Sequence, residues 1–163
     1  MGLQDELIGQ YREQRTKFVY YIIALCVTSI GFALYRTIGQ ALTLVQIPLA
    51  MALIGWGFSI FSGFRFITIS HNTISTNLAY LRVEEETHPD VPRNDPNIKK
   101  KFRDKLVDRI ESNMALTEKL LSRQQLLFYA GIVLFVTWHI LEMYMVTGPM
   151  SLDPLHQQVF YLT

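Results

Sequence analysis

The chain has 163 residues, half of them hydrophobic, and a formal net charge of +1. This length suits one domain, and the near-zero charge gives no electrostatic reason to expect a nucleic-acid partner. Cys26 is the only cysteine, so a disulfide within the chain is excluded.

Three long stretches carry no Asp, Glu, Lys or Arg: residues 18–35, 37–64 and 124–141. A bilayer core of about 30 Å needs about 20 mostly apolar residues in a helix. We therefore predict membrane-spanning helices over residues 18–36, 41–64 and 125–147. The second stretch follows the first too closely for a cleaved signal peptide, so we interpret the first as a retained span. Pro48 lies inside the second stretch, where lipid tolerates a kink if neighbouring helices satisfy the backbone.

The distribution of Lys and Arg predicts the orientation in the membrane. Fourteen of the fifteen cations lie in residues 1–17 or 65–123, and Arg36 is the exception. Because cations are retained on the cytoplasmic side, we predict a cytoplasmic N-terminus and an extracytoplasmic C-terminus. Residues 148–163 are then an extracytoplasmic tail, with a short helix at the membrane interface. Trp138 and Tyr144 suit the outer interface.

Helical periodicity continues beyond the second span. Two rows of residues recur every seven positions, as in a coiled-coil seam: Ile60, Ile67, Ile74 and Leu81, and beside them Phe64, His71, Leu78 and Glu85. A proline-rich tip at 88–97 ends this helix. Apolar residues then recur every four positions: Ile98, Phe102, Leu106, Ile110 and Met114.

This pattern predicts an all-α membrane protein in which spans two and three extend into a cytoplasmic antiparallel helical hairpin over residues 65–124. Residues 1–17 are predicted to form a cytoplasmic helix that adds to the hairpin. Because a two-helix hairpin has a narrow core, we expect its seam to be buried against that helix or against other copies of the chain.

Small residues in the second span form a predicted helix-packing face: Ala52, Gly55, Ser59 and Gly63. Small side chains let helix backbones approach closely in lipid. The face could contact the other spans of the same chain or another subunit, and the sequence favours neither. A few polar residues could line a pore, or could bond to their own backbone carbonyls: Cys26, Thr28, Ser29, Gln46, Ser59 and Ser62.

Arg36, His139 and Glu142 form a predicted polar cluster at the outer level of the spans. Ionisable groups at this depth are costly and normally face protein or water. The first interpretation is an Arg36–Glu142 ion pair that locks the outer helix ends. The second is the lining of a pore or proton path. One His and one Glu fall short of a metal ligand set, so we predict no metal site.

A basic run lies just after the proline-rich tip: Lys99, Lys100, Lys101 and Arg103. It could contact an anion or a protein partner at the free N–H groups of a helix start. The alternative is that it is a solvated face paired with Glu84, Glu85 and Glu86 on the opposing helix. No phosphate-binding loop, nucleophile elbow or paired metal-ligating cysteines occur, so we predict neither an enzyme nor a cofactor.

The order of a charged N-terminal helix, a tight pair of spans and a long cytoplasmic helix resembles the SLATT-type membrane effectors of bacterial conflict systems. The resemblance covers residues 11–86 and rests on the lead-in at 11–15, the close spans, and the helix from Phe64 to Leu81. It implies an oligomeric pore or membrane-perturbing effector of antiphage defence, in the bacterial inner membrane. The third span is an addition to the two-span pattern of that family.

The sequence therefore leads to one main functional hypothesis and two alternatives. The main hypothesis is a homo-oligomeric membrane pore or membrane-perturbing effector, whose cytoplasmic hairpin senses a trigger or drives assembly. One alternative is a non-catalytic accessory or scaffold subunit of a larger membrane complex, with a protein partner at the hairpin. The other is a proton- or ion-translocating transporter subunit that uses His139 and Glu142. Membrane lipid is the partner common to all three.

Overall fold

The computed structural model describes residues 3–39, 43–85, 88–89 and 96–147. These residues form three long α-helices and no strand: α1 (Leu3–Thr37), α2 (Ile47–Glu84) and α3 (Pro96–Thr147). A short 3₁₀ helix, Leu44–Gln46, precedes α2. Each long helix contains a stretch that is long and apolar enough to cross a membrane. The prediction of an all-α chain with three such helices is confirmed for the described residues.

All three helices are longer than a membrane crossing requires. They have 35, 38 and 52 residues, which at a rise of 1.5 Å per residue gives lengths of about 52, 57 and 78 Å. A bilayer core is only about 30 Å thick. We call residues 3–17, 65–85 and 96–124 the arm region, and the remainder of the three helices the span region. Within α1 the predicted N-terminal helix and the first span are one continuous helix.

Pro48 lies at a position where a proline does not disrupt the hydrogen bonds of α2. Gly39 has a φ of +80°, a left-handed conformation that glycine adopts without steric cost. Pro48 lies in the first turn of α2, where its missing N–H would have no helical partner. Pro48 therefore lies at the start of α2 and does not interrupt it. The second apolar stretch of the sequence begins earlier, before the first residue of α2.

Helices α2 and α3 pack antiparallel in one register along the whole of their shared length. The glycine Gly131 of α3 lies against Trp56, and Gln124 lies against Gly63. At the far end, the side chains of Arg103 and Glu84 are 3.6 Å apart. Between these contacts, the number of residues by which α2 runs forward equals the number by which α3 runs backward. The tip predicted at 88–97 lies mostly outside the described residues.

The faces that meet inside the bundle follow a seven-residue repeat, the spacing of helices that wrap around each other with a left-handed twist. In α1, Val19, Cys26 and Ala33 are buried. In α2 the buried row is Ser62, Ile69, Thr76 and Val83. In α3 the corresponding row is Ile110, Thr117, Gln124, Gly131 and Trp138, all buried or half-buried.

The predicted seam of α2 has this same period, but it does not face α3. Ile74, Leu78 and Leu81 are 61%, 49% and 54% exposed. The inner row holds two hydroxyl side chains, which bond to their own helix: Thr76 Oγ1 donates to the carbonyl of Asn72 at 2.8 Å. Small residues allow close helix contact and carry little hydrophobic signal. The hydrophobicity of the sequence therefore marked the outer face of the helix.

Candidate functional site

The span region has a dense aromatic interior. Trp56 and Trp138 are each 1% exposed, and Phe135 lies between them, with ring centroids 5.8 and 5.5 Å away. The indole Nε1 of Trp56 donates to the carbonyl of Phe128 at 3.3 Å. A Cβ at Gly131 would collide with that indole ring. Gly131 is thus required for Trp56 to reach the backbone of α3.

In the part of the chain that the structure describes, the spans share one core of buried side chains, with Trp56, Phe128 and Trp138 among them. Trp138 was expected at the outer membrane interface, but it is buried between helices because α3 turns its seven-residue row inward at that position. Tyr144, one and a half turns further along, is exposed as expected for an interface residue.

One polar residue, Gln124, joins all three helices where the span region meets the arm region, and its side chain is completely buried. Its side-chain Nε2 donates to the carbonyl of Val19 in α1 at 3.4 Å. Its backbone carbonyl accepts a hydrogen bond from Ser59 Oγ in α2 at 2.8 Å. A Cβ at Gly63 would stand 2.5 Å from Gln124 Nε2. Gly63 therefore provides the space for this junction, which we call the Gln124 node.

The predicted packing face lies inside the chain. Ala52, Ser59 and Gly63 are buried, and Gly55 is half-buried, with the position of a Cβ 3.6 Å from the carbonyl of Leu127. These small residues give α2 close contact with α1 and α3 of the same chain. The structure thus places them at contacts within one chain rather than on a free outer surface.

Several polar residues of the spans bond to their own helix. Thr28 Oγ1 donates to the Ala24 carbonyl at 2.9 Å, and Ser62 Oγ donates to the Phe58 carbonyl at 2.9 Å. Such bonds satisfy a hydroxyl without any partner helix. Ser59 differs, because it bonds across to α3 in the Gln124 node.

The outer polar cluster is only partly assembled. His139 Nδ1 lies 3.8 Å from Glu142 Oε2, and the two side chains are 49% and 20% exposed. Arg36 is exposed near the end of α1 and takes part in no ion pair among the described residues. Residues three apart share a helix face, so the structure brings His139 and Glu142 together, and the Arg36–Glu142 pair stays a prediction.

In the arm region the three helices surround a groove of about 590 Å³. Arg15 lies over the rings of Tyr11 and Phe66, with its guanidinium carbon 5.5 and 5.8 Å from their centroids. Nearby on the exposed face of α1, a hydrogen bond from Lys17 lowers the pKa of Glu13. The groove is lined by Leu7, Tyr11, Arg12, Arg15, Thr16, Phe66, Ser70, Thr73, Ile74, Met114, Thr117 and Glu118.

The arm tip brings one residue of the basic run to an acidic partner. Arg103 Nη1 lies 3.6 Å from Glu84 Oε1, with both side chains about two-fifths exposed. The ring of His88 packs on Phe102, with centroids 5.0 Å apart. Lys99 is half-buried, and Lys100 and Lys101 are exposed. The acid–base pairing considered for the tip thus exists at Arg103, and the role of the lysines as an anion or partner contact stays a prediction.

Sequence reasoning missed the Gln124 node and the Trp56–Gly131 contact. Gln124 stood in the sequence only as the first residue of an apolar stretch. The available signal was its position in the seven-residue row of α3, since a polar residue in such a row usually meets a specific partner. Among the residues that the structure describes, no group of three metal-ligating side chains occurs.

Comparison with protein-family models, with curated proteins and with solved structures finds no match for this chain.

Proposed function

We propose that this chain is an integral membrane protein whose three helices cross the bilayer through residues 18–36, 47–64 and 125–147. The arm region then stands on the cytoplasmic side, as a hairpin of α2 and α3 joined by the start of α1. Two observations support this: three helices of membrane-crossing length, and the confinement of fourteen of fifteen cations to the arm side. The tail at 148–163 lies outside the described residues.

We further propose that copies of the chain assemble into a pore or another membrane-perturbing structure, with the arm region driving assembly. The observation that carries this is the filled interior of the single chain, where Trp56 and Trp138 are buried. Any path for ions must then lie between copies. The SLATT-type resemblance adds a setting, antiphage defence in the bacterial inner membrane, and an action that needs no catalytic residue.

Dye release from liposomes tests the pore. Purified protein, inserted into liposomes that hold a self-quenched dye, is expected to release the dye at a rate that rises more steeply than the first power of the protein dose. This steepness follows because several copies must meet to form one pore. Protein-free liposomes are the control. Inserted, helical protein that retains the dye at every dose would contradict the proposal.

The mass of the detergent-solubilised protein separates the pore from the accessory-subunit alternative. A closed assembly of identical chains, each of 18.9 kDa, is expected for a pore. A monomer that binds one other protein in a fixed ratio would favour the accessory subunit.

The transporter alternative rests on the His139–Glu142 pair. Unchanged ion flux in a variant with His139→Ala and Glu142→Gln would reject it.

Single-cysteine labelling tests the orientation. With Cys26→Ser as background, Ser112→Cys lies in the arm region and Tyr144→Cys lies near the other end of α3; both positions are exposed. A membrane-impermeant maleimide added to intact cells is expected to label the cysteine at 144 and to reach the one at 112 only after lysis. The reverse pattern would overturn the orientation without affecting the span assignment.

A further inference from the structure

The outer face of α2 carries a second coiled-coil pattern that the single chain leaves uncovered. One row is Phe64, His71, Leu78 and Glu85, and the other is Ile67, Ile74 and Leu81. Ile67 is half-buried, and the other six are exposed. The spacing alternates between three and four residues, the a/d pattern of helices that wrap around each other. We call these seven residues the outer seam.

The outer seam and the inner contact lie on opposite sides of the same helix. The buried residues Ile69, Thr76 and Val83 each follow a seam residue by two positions. Two residues correspond to a rotation of about 200° around an α-helix. The helix therefore uses one side within its own chain and presents the seam on the other.

Lipid cannot cover this seam along the arm. Arg65, Arg82 and Glu84 are exposed beside it, and such charges are costly within a bilayer. In the proposed topology, which this inference takes as its basis, residues 67–85 stand in the cytoplasm. Ile74, Leu78 and Leu81 would then expose an apolar strip to water, a feature typical of interaction surfaces.

We propose that the outer seam is the interface between copies of this chain, with the α2 helices packed parallel to one another in the arm region. A membrane holds all copies in one orientation, so identical seams meet in register. From Phe64 to Leu81 the seam contains no Asp, Glu, Lys or Arg, and Glu85, at its end near the tip, is its one charged member. The positions that flank it are mostly neutral: Thr68, Ser70, Ser75 and Asn77, with Arg82 on one side and Glu84 on the other.

The central layers of the seam favour more than two copies. Leu78 occupies an a position, and Ile67, Ile74 and Leu81 occupy d positions. Leucine at a with isoleucine at d, the combination at Leu78 and Ile74, favours three or four parallel strands over two. His71 is a polar residue among these apolar ones, and polar seam residues fix the register of such assemblies.

One of the two rows continues into the span region. Ala50 and Gly57 precede Phe64 at intervals of seven, and both are exposed. A Cβ at Gly57 would meet nothing within 4 Å in the single chain. Small residues on an exposed span face permit close approach of another helix in lipid. The other row, Leu53 and Ile60, packs against the core of the same chain, so the inferred interface is centred on the arm.

Cysteine cross-linking in native membranes tests the interface, with Cys26→Ser as background. Oxidation is expected to join copies carrying Ile74→Cys, Leu78→Cys or Leu81→Cys into disulfide-linked dimers. Asn72→Cys on the same helix and Ser112→Cys on α3 are exposed controls, and each should cross-link several-fold less. Equal yields at Asn72 and Leu78, or no dimer at any seam position, would overturn the proposal.

A second measurement keeps the inference separate from the pore proposal. Because Leu78 is exposed in the single chain, Leu78→Asn should fold normally but lower the mass of the detergent-solubilised assembly, whereas Asn72→Ala should not. An unchanged mass in Leu78→Asn would count against the seam. Seam cross-links in protein that releases no dye would uphold the interface and overturn the pore.

Discussion

The span region and the arm region are built from the same three helices, yet they are packed in different ways. Trp56, Phe128 and Trp138 fill the interior of the span region. In the arm region Ser70, Thr73 and Ile74 line an open groove, while Leu78 and Leu81 lie outside. In the proposed topology, lipid covers the apolar exterior of the spans, so only the apolar exterior of the arm needs a protein partner.

The Gln124 node marks the change from one kind of packing to the other. In the span region, large aromatic side chains pack against small residues of the neighbouring helix. In the arm region, the helices surround the groove. The difference between the regions implies that the stability of a single chain resides in the span region. Four sets of substitutions test this, beginning with the one of largest expected effect.

Removing Trp56 should weaken the bundle most. Trp56→Ala deletes a buried aromatic side chain, a change that typically costs about 3–5 kcal/mol in the free energy of unfolding. Unfolding by a denaturing detergent in mixed micelles, followed by circular dichroism, measures it. Phe58→Ala, at an exposed position of the same helix, is the matched control and should change little. Equal effects of the two would show that the aromatic interior is not what holds the spans together.

Adding a methyl group at the close contacts should have the next largest effect. Gly63→Ala places a Cβ against Gln124 and Ile23, and Gly131→Ala places one against Trp56. Overpacking of this kind costs about 1–3 kcal/mol. Gly31→Ala is the control, because a Cβ there would meet nothing within 4 Å. The same unfolding titration applies, and a neutral Gly63→Ala would mean that Gln124 moves aside at no cost.

The hydrogen bond of Ser59 should matter less than its small size. Ser59→Ala removes the 2.8 Å bond to the Gln124 carbonyl, and interhelical hydrogen bonds in membranes contribute about 0.6 kcal/mol on average. Ser59→Leu, which also removes the small side chain, should destabilise the bundle several-fold more. If the two variants unfold alike, the hydrogen bond and not the close packing stabilises the node.

The ion pair at the arm tip should contribute least. Arg103 and Glu84 are both well exposed, and solvent-exposed pairs contribute about 0–1 kcal/mol. A double-mutant cycle with Arg103→Ala and Glu84→Ala should therefore give a small coupling energy that shrinks further in high salt. A coupling well above that range would assign the arm tip a structural role comparable to that of the spans.

The sequence by itself determined the three long helices. Long uncharged stretches predict three helices of membrane-crossing length, because a buried backbone in lipid must satisfy its own hydrogen bonds. The N-terminal helix over residues 1–17 and the extensions of the second and third apolar helices were also predicted. In the structure, the described residues of each form one continuous helix with the adjoining apolar stretch. The seven-residue period of α2 was evident as well, since it depends only on the spacing of apolar residues.

Only the tertiary structure decided which face of each helix turns inward. Ser62, Thr76 and Gly63 of α2 are buried between the helices, while Ile74 and Leu78 of the same helix are exposed. Hydrophobicity could not predict this, because small and hydroxyl residues serve close helix contact and apolar ones serve lipid or another subunit. For the same reason Gln124, buried at the junction of three helices, is recognised only when the helices that surround it are placed together.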